Sequence, residues 1–445
     1  MNKSRLALSI FGVFCCSLAQ ATPRECLPEH FGGKGDASRL NTQAIQQAIT
    51  QCHQLGGGSV ILAPGVWLSG PLVLLDNVTL RIEKGATLKA SNQQGQFVAA
   101  FIGHPPRAGE AFILANKVNN VAITGDGILD GDGQQSWWPE ALKIRALVKS
   151  GNSKAFTDRF PGIPLANGAP RPWFVEFNGV TNGRIEQLHL TNSPMWNIVI
   201  RNSTNINVQK VTISNPLTSP NTDGMDIISS QHVAVSNMDI HTGDDNIAIK
   251  SGLVQGDASA AQDISIRDST MREGHGISVG SETANGIGRV VLSHISFLNT
   301  ENGLRIKSAR DRGNTIGPVL ADHLTMTNVS TPILVTDSYG GQSGASEDAL
   351  VAAIENAPLT TLTPKINGVN IRDVTATGAN WAMIFSGLPE APLQNISLHN
   401  INIAAQHGIQ ARYMTGRGDN ITISPRQGPV QSSGPDVSLK LNSAL

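Results

Sequence analysis

Apolar and polar residues alternate in short runs along most of this chain. Such runs cover Val78–Ile82, Val121–Ile123, Ile206–Ile213, Val233–Ile240, Ile264–Ile266, Val290–Phe297, Val369–Ile371, Ile396–Ile403 and Ile421–Ile423. Each is flanked by Asn, Gly, Asp or Ser, the residues that supply turns, so each reads as a short strand. The runs also keep step: Val235 to Ile266 is 31 residues and Ile266 to Leu292 is 26. A second series does the same, with 30 residues from Ile249 to Val279, 27 from Val279 to Ile306 and 29 from Ile306 to Val335. A period of this length marks a solenoid or a propeller. Propeller blades need four strands in ~40–45 residues, and these repeats are shorter. The pattern therefore predicts an all-β chain wound as a parallel β-helix, one coil per repeat.

Two regions depart from that rhythm at the start of the chain. Lys3 and Arg5 precede the apolar run Leu6 to Cys16, and Ala19-Gln20-Ala21 follows as a cleavage site. This predicts a signal peptide over residues 1–21 and an exported mature chain beginning near Thr22. The run falls short of the ~18 apolar residues that span a bilayer, so no membrane attachment is expected after cleavage. Further on, Ala44, Ile45, Ala48, Ile49 and Cys52 are spaced as one face of a helix, with Asn41 as its N-cap. A short helix there would cap the first coil, whose strand edges are otherwise open. Two later stretches, Asp132 to Arg171 and Gly340 to Pro364, lack a β pattern and read as insertions at the binding face. No linker divides the rest, so residues 22–445 are expected to form one domain.

Composition adds a compartment and excludes some partners. Gly at 45 residues, aromatics at 4% and charged residues at 15% suit a stacked β structure. Loss of Lys3 and Arg5 leaves 31 basic against 34 acidic residues, a charge of about −3. That balance gives no general attraction to nucleic acid or to an anionic membrane. Two of the 4 cysteines leave with the leader. Cys26 and Cys52 remain, and in an oxidising compartment a disulfide is expected, with two free buried thiols as the alternative.

The candidate chemistry lies mid-chain, in Asn221-Thr222-Asp223, Gly243-Asp244-Asp245, Gly274-His275-Gly276 and Arg305-Ile306-Lys307. Steps of 21, 31 and 30 residues separate Asp223, Asp244, His275 and Arg305, close to one repeat each. Successive coils lie about 4.8 Å apart, so these groups would form one patch. Asp223, Asp244 and Asp245 supply the paired carboxyl groups that glycosidic hydrolysis needs. Crowding should raise one of their pKa values and keep it protonated as an acid. Adjacent residues on a strand face opposite ways, so the chain must bend at Gly243 if both of the following aspartates act. His275 sits between two glycines that expose its ring. Arg305 and Lys307 alternate on one strand face and suit a carboxylate partner.

In this order and spacing the four motifs resemble the polygalacturonases of glycoside hydrolase family 28. The likeness extends to the Ser193-Pro194-Met195-Trp196 segment and covers most of the mature chain. It implies a right-handed parallel β-helix and a secreted hydrolase of α-1,4-galacturonosidic bonds in polygalacturonate and pectin, inverting and needing no metal or other cofactor. It implies Asp244 as the general acid, Asp223 and Asp245 as the holders of the attacking water, and His275 as a support for the acid's protonation. It also implies Arg305, Lys307 and Tyr339 as substrate-binding groups, with Asn221 orienting its neighbours. Endo cleavage and a monomer are the expectation. The alternatives are exo cleavage, a rhamnogalacturonan-type activity, a Ca²⁺-dependent pectate lyase and a non-catalytic carbohydrate-binding β-helix.

Overall fold

The computed structural model describes residues 24–161, 169–253, 259–340 and 352–443. The leader expected at residues 1–21 lies outside the described residues, and so does most of the 340–364 insertion's first half. Every named strand pairing is parallel, and the strands wind as a right-handed β-helix. The two series of spacings in the sequence are ladder partners: Val235 pairs with Ile266 and Ile266 with Leu292, while Ile249, Val279, Ile306 and Val335 pair in turn. The repeat thus follows from the need to return an apolar residue to the same interior column on every coil.

Three strand columns form the walls. The front column, which carries the site, runs through Ala111–Asn116, Trp173–Asn178, Ile198–Arg201, Met225–Ile228, Ile247–Lys250, Ile277–Val279, Asn302–Lys307 and Thr331–Thr336. The other two columns alternate buried and exposed residues, as in Thr204–Gln209. The front strands are buried on both faces, as in Ile198–Arg201, Met225–Ile228 and Asn302–Lys307. Inward residues from all three columns merge into one apolar core from Cys26 to Ile423. Many corners use an Asn in the left-handed region, including Asn182 (φ 61°) and Asn205 (φ 57°), whose side chains also bond to each other at 3.2 Å. Asn accepts that backbone more readily than other non-glycine residues, which accounts for its abundance.

Helix α1, Thr42–Gln54, caps the first coils with Ala44, Ile45, Ala48, Ile49 and Cys52 buried, as the spacing predicts. Cys26 and Cys52 are bonded, with Cα atoms 5.9 Å apart, and join the helix to the first strand. Asn41 precedes the helix but does not cap it with its side chain. Its amide instead bonds the main chain of Lys34 and Arg39, closing the turn before the helix. The 132–171 insertion is largely helical: a π-turn at Gly133–Trp137, α2 at Trp138–Lys149 and α3 at Ser153–Arg159. Trp138, Ala141 and Ile144 form the buried face of α2, a helical spacing that the search for strands passed over. Among the described residues no helix is long and apolar enough to cross a membrane.

Candidate active site

The three aspartates lie in turns that enter front strands. Asp223 sits two residues before Met225, and Asp245 two before Ile247, and those strand residues are ladder partners. His275 stands two before Ile277, the next partner. The corner column therefore reads Asp223, Asp245, His275, with Asp244 beside it. This corrects the spacing argument in two places. Asp245 is the neighbour of Asp223 in register, and Arg305 faces Ser278 rather than His275. Arg305 and Lys307 belong to the strand itself and reach back across one coil.

Local sequence explains the turn. Residues 242–246 lie between strands, so Asp244 and Asp245 escape strand alternation, as a double role requires. Gly243 is needed for proximity: a Cβ there would stand 2.1 Å from the Ser219 carbonyl oxygen. Its N–H donates to Thr222 Oγ1 at 3.0 Å, which fixes the two aspartate turns together. Gly276 has φ 83°, and a Cβ would lie 2.0 Å from the Asn302 oxygen, so the His275 loop tolerates only glycine there. The His275 N–H donates to the Asp244 carbonyl at 2.9 Å.

Asp244 Oδ1 meets His275 Nδ1 at 3.1 Å and accepts the Asp245 N–H at 2.9 Å, while Oδ2 faces the Asn221 amide at 3.4 Å. Burial acts to raise its pKa, but His275 outweighs it and holds the group down at about 2. Burial likewise works against the His275 charge, yet Asp244 and Asp245 raise its pKa above the ordinary value. In the unliganded protein Asp244 and His275 form an ion pair. His275 Nε2 also meets Glu301 at 3.3 Å, a partner that the sequence reading did not include.

Asp245 is held differently. Arg305 Nη2 lies 2.5 Å from Oδ1 and Lys307 Nζ 3.0 Å from Oδ2. Ser278 Oγ donates to Oδ1 at 3.0 Å and accepts from Arg305 Nε at 3.0 Å. Burial opposes the charge, but Lys307 and Arg305 keep the Asp245 pKa far below the ordinary value. Both cations are buried and committed to this carboxylate. Lys307 also stands 5.1 Å above the half-buried Tyr339 ring, which places the tyrosine at the same site.

Asp223 carries the raised pKa that crowding predicts. Burial pushes it well up, aided by the charges of Asp244 and Asp226 and opposed by Lys250. Its Oδ1 is buried without a hydrogen-bond partner among the described residues. The shifts of Asp223 and Asp244 thus run in opposite directions. Asn221, at φ 53°, accepts from Arg171 Nη2 at 2.8 Å through its own Oδ1. Arg171 is 1% exposed and also donates to the carbonyls of Ala169, Pro194 and Pro220. Burial and Arg145 lower its pKa to about 9, against the pull of Asp244 and Asp223. Arg171 ends the insertion and was invisible as a site residue, because no repeat marks it. Lys250 and Asp226, paired at 2.8 Å on the strands behind the aspartates, were also missed. Their signal was present: both face outward in otherwise apolar front strands.

One oxygen from each of Asp244 and Asp245 and a His275 nitrogen lie within 4.8 Å of one another, close enough to hold a cation. The donor set does not suit Ca²⁺, which takes six to eight oxygens. A metal would also compete with the two cations already on Asp245.

The family model described as glycosyl hydrolases family 28 matches residues 68–417. An endo-polygalacturonase from Pectobacterium carotovorum subsp. carotovorum is 30% identical over 397 residues, 86% of this chain and 88% of the relative. One from Pectobacterium parmentieri is 33% identical over 365 residues, 77% and 84% of the two chains. Among solved structures, an exopolygalacturonase from Thermotoga maritima superposes with a TM-score of 0.74 at 25% identity, covering 90% of this chain and 92% of the other. A polygalacturonase from Erwinia carotovora gives 0.69 at 26%, covering 93% and 100%.

Proposed function

Since the chain belongs to family 28 of the glycosyl hydrolases, we propose that it is an exported polygalacturonase that hydrolyses α-1,4-galacturonosidic bonds with inversion. The observation that supports this reading best is the corner where three aspartates meet while two cations hold one of them. Asp244 lies between His275 and Asn221 and is positioned to protonate the leaving oxygen. Asp223 and Asp244 interact as like charges, and we assign a single proton to the pair. Once substrate draws that proton to Asp244, Asp223 is ionised and can accept a proton from the attacking water. Asp245, ionised throughout, orients the water and stabilises positive charge developing on the sugar. His275 holds Asp244 in place through Nδ1, and the proton that Asp223 takes from water restores the one that the pair began with. An ammonium has three N–H donors, so Lys307 can hold Asp245 and still meet a galacturonate carboxylate beside Tyr339.

The test is release of reducing ends from polygalacturonate in the presence of a chelator. The reading expects full activity there and little on a rhamnogalacturonan. An unsaturated, ultraviolet-absorbing product that depends on added Ca²⁺ would identify a lyase instead. Binding without product would identify a carbohydrate-binding β-helix.

A further inference from the structure

The front wall is built differently on the two sides of the aspartates. On the coils up to and including that of Asp223, the outward residues Leu114, Trp173, Val199 and Ile228 form a second apolar cluster, and Ala100 and Ile102 from the 98–109 loop pack on it. Arg201 fastens that loop. It is 1% exposed and donates through Nη1 to the Ile102 carbonyl at 3.4 Å and the His104 carbonyl at 3.2 Å. Its Nη2 pairs with Glu176 at 2.9 Å and Glu110 at 3.6 Å. The loop returns on itself, with the Val98 N–H bonded to the Gly109 carbonyl at 2.9 Å. In the corner column the place next to Asp223 is taken by Trp196, two residues before Ile198, the partner of Met225. Trp173 stacks on it at 5.4 Å, and Lys250 Nζ lies 4.0 Å from its ring centroid. Its ring is already engaged, so it offers no open platform for a sugar.

On the coils after Asp245 the described residues leave the wall open. A cavity of about 450 Å³ follows Tyr339, lined by Arg310, Arg312 and Asp337 among others. Asp337 is fully buried, and neither carboxylate oxygen has a hydrogen-bond partner among the described residues. Burial pushes its pKa well up. Arg310 and Arg312, each already paired with a carboxylate (Glu390 and Glu282), still have N–H donors to spare, and with the Tyr339 ring they suit a chain of hydroxylated carboxylates.

We propose that the cleft is blind on its N-terminal side, so that the enzyme cuts at chain ends, with the polymer leaving over Lys307, Tyr339 and the Arg310–Arg312 cavity. This rests on the galacturonan reading above and departs from the endo action expected from sequence. Between Trp196 and the aspartates lie one or two strand spacings, about 5–10 Å, which leaves room for one or two sugars. An internal bond would need the chain to pass through the space the loop fills.

The decisive experiment is a product time course on polygalacturonate with parallel viscometry. Blind-ended binding gives mono- or digalacturonate from the first time point, while viscosity hardly falls. A ladder of longer oligomers with a rapid viscosity drop would overturn it. A variant with residues 99–108 replaced by a short glycine link should release longer oligomers. An active variant with unchanged short products would show that the loop is not the barrier. No release from galacturonan of any length would remove the hydrolase reading and this proposal together.

Discussion

Two charge clusters occupy the outer face of the front wall, and they are built in opposite proportions. Around Arg201, one buried cation serves two carboxyl groups, Glu176 and Glu110, and the more exposed Arg107 and His104 also reach Glu110 at 3.6 and 3.7 Å. Around Asp245, one carboxylate is served by two cations, Arg305 and Lys307. Both are buried, yet their protonation diverges. Burial outweighs Arg201 and pushes Glu176 up to about 8. At Asp245 burial is overcome and the charge persists. A carboxyl surplus under an apolar cover resolves by taking up protons and becomes a fastening for a loop. A cation surplus cannot shed its charge so easily, and it leaves a field that an anionic polymer can answer. The sequence position of each residue says little about this; the partners decide it.

The largest effect should come from the acid. Asp244→Asn should lower kcat by about 10²–10⁴-fold with the fold intact, since an amide delivers no proton. Near-normal turnover in a folded variant would move the role elsewhere, with Asp223 the first candidate because burial and the neighbouring carboxylates raise its pKa.

Exchanging cations in the two clusters separates their functions. Breaking a buried ion pair costs about 3–5 kcal/mol. For Arg305→Met that cost should appear as lost kcat/KM on polygalacturonate. For Arg201→Met it should appear as a lower Tm, with hydrolysis of short oligogalacturonates kept within a few-fold. Lys307→Asn should affect both KM and kcat, because Lys307 holds Asp245 as well as facing the cleft. Its loss should be smaller on methyl-esterified pectin, which lacks the charge. Equal losses on both substrates would assign Lys307 to Asp245 alone.

The disulfide is a smaller contribution, and one outside both clusters. Its 26-residue separation gives roughly 3 kcal/mol by loop entropy. Cys52→Ser should lower Tm with kcat unchanged, and mass spectrometry of the non-reduced protein should find Cys26 and Cys52 linked. Two alkylatable thiols would contradict the pairing.

The remaining effect is spread over pH as a slope. Glu176 titrates at about 8 in the fold against an ordinary 4.5, and Asp226 at about 7 against 3.8, burial being the main cause of each. Groups whose folded pKa is raised favour the fold while protonated. Stability from them is present below pH 4 and declines as pH rises toward 8. Tm should therefore fall over that interval, and Glu176→Gln should flatten the fall. Asp244, depressed to about 2, acts the other way, and its contribution disappears only as pH falls through that value. His275, raised by the same pair, supports the fold and the acid until pH rises through its own pKa.

The coil was legible because the interior selects it: Ile249, Val279, Ile306 and Val335 must each return to one column, and the sequence records that return. The site motifs were legible for the same reason, as they precede or share those strands. What the spacing could not supply was register at the turns, where a difference of three residues moved Arg305 from His275 to Ser278. Nor could it supply partners drawn from outside the repeat. Arg171 reaches Asn221 from the end of a helical insertion, and Ile102 reaches Arg201 from a loop nearly one hundred residues earlier. Asn41 shows a local limit, since a residue of capping type bonded the preceding turn instead.

The most direct measurement of the central claim is proton NMR of the sugar anomer first formed from polygalacturonate. The proposed mechanism, with water held by Asp223 and Asp245 on the face opposite Asp244, predicts that the β-anomer appears first and then mutarotates. An α-anomer formed first would mean that one of these aspartates attacks the sugar itself, and an unsaturated product would mean that no water attacks at all.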